Sequence, residues 1–469
     1  MLSNTFDNEI VRDFAELMSL AEAPVARADD IVRNLGRIYN NVFERDLTRY
    51  ARADWKDLAP VVMAEMFILR TRIRDRIAEW HTLGLMTREA QHAARDTLRV
   101  LRYASDLSGE AHWNHVFGTP TDAPQRAFSE VSFNTFVHPA FDTGHPIAFR
   151  SGDVVLVRGT RTNSAAIARI GDVDSQFSHT AIVYVDDAGR SVLVEALIED
   201  GAVITPLKEA LDHGIARAML FRHRDAELAA RAAKLIHDHV KRSLDAGSPI
   251  LYDFSMQLGP SNRLFCSKLV RIAFEDASEG RLRLPAFPTR FNASNAAFYN
   301  SIGVTADVSF APGDLEIEPS LDLVAEWQDY RYTAQIRHQD LIMTKLFEWM
   351  EVHGWRFRED TSIRLIAWLG RLSTRLSRRV QDLVASLFAR IPPHMPRRTI
   401  ATIVMLEKTA QPLLTELQHK DRVRIATDGQ PLHPREVFDY LEDVRWRGRG
   451  QVGYLIAPRK WRRAVARSG

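Results

Sequence analysis

Cysteine is nearly absent from this sequence, whose 469 residues include only Cys266. One cysteine cannot form an internal disulfide, so the fold does not depend on an oxidising compartment. Long apolar runs are also missing, since no window reaches the roughly 18 uninterrupted apolar residues of a membrane span. The first twenty residues are acidic and lack the basic start and apolar run of a secretory signal. These absences predict a cytoplasmic protein, with signal-independent secretion left open.

Net charge is almost absent as well. The formal charge is +2, although 26% of the residues are charged. A nucleic-acid-binding protein usually carries a marked basic excess, so no nucleic-acid partner is predicted. The length exceeds what one hydrophobic core usually organises, which favours two or three domains.

Helical periodicity dominates both ends of the chain, and short strands occupy the middle. The predicted strands are 153–157, 180–185, 191–196 and 201–204, and the helices that follow them are 226–244 and 264–275. The predicted flanking helices are 62–80 and one that begins near Thr87, and, towards the end, 321–355, 362–390, 397–417 and 434–444. We therefore predict an α+β fold with three regions. These are a helical N-terminal region (1–120), a central domain of strands and helices (121–310) and a mostly helical C-terminal region (311–469).

Cys266 has the sequence context of a nucleophile. The loop 259–262 precedes it, and helical spacing begins just after it. A helix N-terminus stabilises a thiolate through free N–H groups, and the same groups can hold an oxyanion. A small buried apolar residue is the alternative interpretation, because unpaired cysteines are commonly buried.

His179 is the candidate base for this thiol. It lies at the start of the predicted strand 180–185, where its ring can face a helix N-terminus across a groove. Glu195 lies on the next strand and can bond the second ring nitrogen. Glu199 and Asp200 are the rivals for that orienting role, and Glu195 is preferred.

Taken in order, these motifs resemble a known family. Gly152-Asp153 opens a strand, Ser178-His179 precedes the next, Glu195-Ala196 follows, and Tyr252-Asp253 comes ahead of Phe265-Cys266-Ser267. This order resembles the permuted papain-like NlpC/P60 cysteine hydrolases, in particular the YiiX/YaeF-like group related to lecithin:retinol acyltransferase. The resemblance covers about 149–276, and its histidine precedes its cysteine, the reverse of papain.

The resemblance implies a role for each matching residue. Cys266 would be the nucleophile, His179 the base and Glu195 the orienting group. Tyr252, Ser178 and Ser267 would contact the substrate, with Tyr252 also a donor to the oxyanion. Asp153 and Asp253 would be structural. Lys268 departs from the family, in which an acidic residue is more usual at that position.

Metal and cofactor sites are not predicted. His112 and His115 form a His-x-x-His pair, but no carboxylate or cysteine follows at a ligand-like spacing. A basic amphipathic helix over 372–390 is typical of peripheral contact with an anionic membrane or a partner, or of a helix packed on its own domain.

We expect a cysteine hydrolase that cleaves an amide, ester or thioester bond of an acyl-, lipid- or peptide-like substrate through an acyl-cysteine intermediate. An acyltransferase that uses the same three residues is the first alternative. A non-catalytic papain-like scaffold is the second.

Overall fold

The computed structural model describes residues 6–44, 47–51, 58–117, 134–212, 214–291, 295–373 and 394–459. The helices of these residues are α1 (Phe6–Glu22), α2 (Ala28–Tyr39), α3 (Ala59–Thr82), α4 (Arg88–Phe117), α5 (Thr162–Ala168), α6 (Leu207–Asp212), α7 (Ala226–Asp245), α8 (Cys266–Ala277), α9 (Ala296–Ile302), α10 (Thr333–Glu351), α11 (Thr361–Ser373), α12 (Arg397–Asp428) and α13 (Pro434–Arg447). The strands are β1 (Thr135–Val137), β2 (Val154–Gly159), β3 (His179–Val185), β4 (Ser191–Leu197), β5 (Gly201–Pro206), β6 (Ile215–His223), β7 (Leu251–Tyr252), β8 (Arg263–Leu264), β9 (Thr289–Arg290), β10 (Val308–Ser309), β11 (Leu321–Gln328), β12 (Arg356–Phe357), β13 (Gln451–Val452) and β14 (Leu455–Ile456).

A seven-stranded antiparallel sheet forms the centre of the molecule, in the order β1-β11-β6-β2-β3-β4-β5. Its middle strands are rich in β-branched residues that alternate between two buried faces. Val154 and Ile182 pack with α7 and α8 on one face, whereas Val155 and Val183 pack in a second cluster on the other. Both faces of these strands are therefore covered, which explains their nearly uninterrupted apolar sequence.

The N-terminal helices form the predicted hairpin. Helices α3 and α4 pack against each other, and the stripe from Met63 to Trp80 is buried. Gly84 ends the first helix with φ of +70°, a conformation that residues with a Cβ rarely adopt. The hairpin also contributes Phe67 to the core beneath the sheet, so it is packed onto the central domain.

One predicted helix is partly wrong. The segment 321–355 was expected to be helical throughout, but its first eight residues form β11, which pairs with β1 and β6. A short apolar run fits a buried strand and a buried helix equally well. Here, pairing with the neighbouring strands of the sheet makes the segment a strand. The helix starts only at Thr333. The domain boundary at residue 310 stays a prediction, although the central sheet includes β11, which follows that residue in the chain.

The C-terminal region is otherwise mostly helical, as expected. Helix α12 continues beyond the predicted 397–417 and ends at Gly429 in a left-handed conformation. The predicted basic helix 372–390 lies almost wholly outside the described residues, so membrane contact through it stays a prediction. Among the described helices, none is both long and apolar enough to cross a membrane.

Candidate active site

The sheet register brings His179 and Glu195 together. Ile182 lies opposite Val194 on the neighbouring strand, so Glu195 faces Ala181, and His179 lies two residues along on the same face. Long side chains at such diagonal positions reach each other. Nε2 of His179 lies 2.8 Å from a carboxylate oxygen of Glu195. The predicted carboxylate–imidazole pair is therefore present in the structure.

A hydroxyl group holds the other side of this carboxylate. Thr205 on β5 donates a hydrogen bond of 3.0 Å to Oε1 of Glu195, while Oε2 faces His179. The side chain of Glu195 is only 8% exposed, so both bonds lie away from bulk water. Thr205 was not predicted from the sequence, although strand alternation places it near Glu195 once β4 and β5 are paired.

Cys266 is the first residue of α8, as its sequence context predicts. Phe265 is the N-cap in an extended conformation, and the N–H groups of the first turn have no acceptor within the helix. The side chain is buried, with the residue only 5% exposed. The helix start therefore directs partial positive charge at the thiol.

His179 bridges the thiol and the carboxylate. Hydrogen-bonding and charge interactions with both Cys266 and Glu195 shift the pKa of its ring. Because Nε2 bonds the carboxylate, Nδ1 is the ring nitrogen left to face the sulfur. One imidazole thus connects a nucleophile to an orienting group, the arrangement required of a catalytic triad.

These contacts change the ionisation of both groups. Burial alone would raise the pKa of Cys266, but the hydrogen bond and the charge of His179 lower it below its ordinary value. Burial alone would lower the pKa of His179, but Cys266 and Glu195 raise it to about 10. Both shifts favour a thiolate–imidazolium pair at neutral pH.

Tyr252 lies beside the nucleophile. It ends β7, which pairs with β8 so that Tyr252 faces Leu264, two residues before Cys266. Burial, followed by the charges of Cys266 and Glu199, raises the pKa of Tyr252 well above its ordinary value. The phenol therefore stays protonated and keeps a hydrogen to donate.

The two serines with a predicted substrate role differ in position. Ser178 lines the cavity around Cys266, but its hydroxyl accepts the N–H of Gly159 at 3.2 Å. The Oγ of Ser267 is 3.8 Å from the sulfur of Cys266, and the residue is fully buried. Substrate contact by either serine stays a prediction, and the position of Ser267 favours support of the nucleophile.

Lys268 does not bond the thiol in this structure. Its ammonium group lies 3.1 Å from Asp253 and 3.0 Å from the hydroxyl of Ser261, and its side chain is completely buried. These bonds tie α8 to the loop after β7. Asp153 is likewise engaged with Arg222 at 2.7 Å, which joins the ends of β2 and β6. Both aspartates thus occupy structural positions.

A cavity of about 650 Å³ surrounds the three candidate residues. Arg161, Asn163 and Ser164 from the start of α5 line it, and they were not singled out from the sequence. The rivals Glu199 and Asp200 also line this cavity, but Glu195 is the carboxylate that accepts the hydrogen bond of His179. The size is typical of a site for a small organic substrate.

Metal ligation is not favoured elsewhere in the described residues. One group of three candidate ligands, Glu348, His353 and Glu442, comes close enough to share an ion. Both of its carboxylates already bond the ammonium of Lys345 at 2.8 Å. A cation would have to displace that lysine, so the donor set does not fit a metal.

A cysteine at a helix start and a His–Glu pair on adjacent antiparallel strands are the arrangement of a papain-like cysteine site. Residues 148–310 match the model of a family described as "Permuted papain-like amidase enzyme, YaeF/YiiX, C92 family". This match confirms the predicted resemblance: about a third of the chain is a permuted papain-like domain of the YaeF/YiiX group, with helical regions on both sides.

One solved structure, that of the metalloprotein yiiX from Escherichia coli O157:H7, is similar over 39% of this chain and 100% of its own. The two chains are 20% identical over this region, with a TM-score of 0.31. No curated protein matches the chain.

Proposed function

We propose that the protein is a cysteine hydrolase that cleaves an amide, ester or thioester bond through an acyl-cysteine intermediate. The observation that carries the proposal is the position of His179, which bonds the carboxylate of Glu195 at 2.8 Å and interacts with the thiol of Cys266 at the start of α8. The family match supports the amidase class for residues 148–310.

The reaction begins with attack of the Cys266 thiolate on the substrate carbonyl carbon. The carbonyl oxygen becomes an oxyanion, which the first-turn N–H groups of α8 and the hydroxyl of Tyr252 would stabilise. His179 then gives its proton to the leaving nitrogen, oxygen or sulfur, the bond from that atom to the carbonyl carbon breaks, and the acyl-cysteine thioester forms. Water, deprotonated by His179, hydrolyses the thioester and regenerates the thiolate.

Acyl transfer is a second candidate because the nucleophile is so little exposed. Cys266 is only 5% exposed, so little of the acyl-cysteine would be open to water, and a bound amine or alcohol could compete with water for the thioester. The same three residues would serve both reactions. Product analysis with and without an added amine or alcohol acceptor separates the two outcomes.

The test combines thiol labelling with turnover. Cys266 is the only cysteine, so the mass shift after iodoacetamide treatment reports one site. We expect the wild type to react at pH 6 at least tenfold faster than His179→Ala. A matched control is His237→Ala, because His237 also pairs with a carboxylate, that of Asp238, but does not line the cavity around Cys266.

Turnover is measured against a panel of peptide amides, acyl amides, lysolipids and thioesters. Any true activity should disappear in Cys266→Ser and persist in His237→Ala. Labelling that His179→Ala leaves unchanged, together with no turnover, would contradict the proposal and favour the non-catalytic scaffold.

A further inference from the structure

Helix α11 of the C-terminal region has apolar side chains on two sides. Ile363 and Ala367 are buried, and they pack in a cluster with Ile400 and Met405 of α12. The apolar residues of the other side face solvent, each between 39% and 55% exposed, and we call them the exposed stripe: Leu365, Trp368, Leu369 and Leu372. Single exposed apolar residues are common on protein surfaces, whereas a group of them on one face indicates a binding surface.

The four side chains of the exposed stripe form one continuous surface. An α-helix turns by about 100° per residue, so the four positions fall within an arc of about 100°. Each residue rises about 1.5 Å, so the stripe from Leu365 to Leu372 is about 10 Å long. Trp368 lies within it, and tryptophan is enriched where membrane proteins meet the interface between lipid and water.

Arginines border the exposed stripe. By the same rotation of the helix, Arg364 and Arg371 lie along one edge of the stripe, and the side chain of Arg364 is 70% exposed. Arg371 donates a hydrogen bond of 3.4 Å to the carbonyl oxygen of Met395, which lies two residues before the exposed Arg397 and Arg398. Positive charge therefore lies near both ends of α11.

Carboxylates are scarce around these arginines. Glu359 and Asp360 precede α11, and Glu359 lies 3.7 Å from Arg364, but the described residues 361–373 and 394–406 contain no carboxylate side chain. The whole stretch from residue 361 to residue 406 has eight arginines and one acidic residue. Since the formal charge of the entire chain is only +2, this stretch concentrates positive charge that the rest of the chain does not have.

An anionic lipid surface fits this combination better than a second copy of the chain does. Two copies packed through the exposed stripe would bring arginines together, and α11 has no carboxylate to neutralise them. Lipid phosphates supply the opposite charge, and the boundary between headgroups and acyl chains accepts leucine and tryptophan side chains.

We propose that the exposed stripe of α11 docks the protein on an anionic lipid surface, with Trp368 and its apolar neighbours inserted below the headgroups and the arginines against the lipid phosphates. This inference goes beyond the proposed hydrolysis, because docking requires neither Cys266 nor His179. Docking would also bring the catalytic cavity close to the lipid, because Ile198 packs against the cluster that α11 helps to form and also lines that cavity.

Co-sedimentation of the full chain with vesicles tests the inference. One kind of vesicle contains about 30% phosphatidylglycerol in phosphatidylcholine, and the other contains phosphatidylcholine alone. In about 50 mM salt we expect at least tenfold tighter binding to the anionic vesicles, and in about 500 mM salt most of this difference should disappear because salt screens the charges. Cys266→Ser should bind like the wild type, so a failure of the proposed hydrolase function would not alter this result.

Two pairs of variants locate the surface. Trp368→Ser should weaken binding to the anionic vesicles at least fivefold, whereas Trp446→Ser, at a tryptophan that is 53% exposed on α13, should change it less than twofold. Arg364→Glu should also weaken binding at least fivefold. Its matched control is Arg447→Glu, because the side chain of Arg447 is 61% exposed and also lies near a carboxylate, that of Asp443.

A fluorophore on the exposed stripe reports insertion directly. Cys266 is the only cysteine, so Leu369→Cys in the Cys266→Ser background can be labelled at a single site with a polarity-sensitive dye. We expect its emission to shift to the blue when anionic vesicles are added. The same dye at Val423→Cys, a position 49% exposed on α12, should not shift.

Four results would overturn the inference. These are equal binding to the two kinds of vesicle, no sedimentation with either, binding that Trp368→Ser and Arg364→Glu both leave unchanged, and a dye at Leu369→Cys that does not shift. A dimer that forms without lipid and is lost in Trp368→Ser would assign the exposed stripe to a second copy of the chain instead.

Discussion

Replacement of Glu195 by glutamine tests the core of the catalytic arrangement. The change keeps the size of the side chain and removes the charge that faces His179 at 2.8 Å. A hydrogen bond to a charged partner contributes about 1.5–3 kcal/mol, and about 1.4 kcal/mol corresponds to a tenfold change. We therefore expect alkylation of Cys266 at pH 6 to slow about tenfold to a hundredfold in Glu195→Gln.

The pH dependence of labelling shows in which direction the pKa of Cys266 changes when the carboxylate is removed. The carboxylate stabilises the imidazolium, which in turn stabilises the thiolate. In Glu195→Gln the pKa of His179 should fall below about 10, and the pKa of Cys266 should rise towards that of an ordinary thiol. Iodoacetamide labelling from pH 4 to pH 11, followed by mass spectrometry, measures the acid limb of the profile directly.

Glu199→Gln is the matched control for this experiment. Glu199 lines the same cavity, and its replacement by glutamine removes the same charge, but Glu195 is the carboxylate that bonds His179. We expect less than a threefold change in the control. The assignment would be refuted if Glu199→Gln slowed labelling as much as Glu195→Gln, or if Glu195→Gln changed the rate less than threefold.

Two further predictions concern stability. Lys268→Met leaves the carboxylate of Asp253 buried without its ammonium partner, which should cost about 3–5 kcal/mol in urea unfolding. Adding Asp253→Asn should recover part of that loss, and no recovery would argue against the pair. Burial alone would raise the pKa of Glu442, but hydrogen bonds from Lys345 and two neighbours lower it to about 2. The stabilising effect of the ionised carboxylate is therefore complete above pH 4.5 and is lost as the pH falls towards 2. Glu442→Gln should lower the free energy of unfolding by about 1–2 kcal/mol at pH 7, after allowance for the partial exposure of this group. At pH 2.5 the same change should have little effect. Asp443→Asn, at an exposed pair on the same helix, should change the free energy of unfolding by less than about 0.5 kcal/mol at either pH, and equal losses in the two variants would contradict this explanation.

The catalytic residues could be predicted because their positions depend on local rules. Helical spacing after Cys266 predicts a helix start, which the structure has at that residue. The two strands of His179 and Glu195 are joined by a short turn, so their pairing follows from the sequence, and strand alternation then places both side chains on one face. At each of these three residues, the local sequence pattern predicts the backbone geometry that the structure has.

Other features depend on contacts between distant segments, and the sequence carries little signal for them. Strand β11 is apolar enough for either a strand or a helix, and it becomes a strand because β1 and β6 lie beside it. A cavity of about 580 Å³ lies between α5 and α12, although more than 200 residues separate Ala166 from Ile403, which both line it. Spacing patterns within one segment do not specify which distant segment it packs against.

Buried charges join the N-terminal helices to the central sheet. Arg70 on α3 and Arg102 on α4 each lie 3.1 Å from the carboxylate of Glu326 on β11, and Asp106 on α4 pairs with Arg217 on β6. Burial alone would raise the pKa of Glu326, but the neighbouring arginines lower it, so the carboxylate stays charged inside the protein.

Deletion of residues 1–117 would remove the partners of Glu326 and Arg217 that α3 and α4 supply and would open both groups to water. It would also expose the apolar surface that α3 covers. Since a domain is usually stable by only about 5–15 kcal/mol, the remaining chain should not fold cooperatively. Circular dichroism during urea unfolding of the truncated protein checks this. A sharp transition, with Cys266 as reactive as in the full chain, would show instead that the helices are an independent appendage.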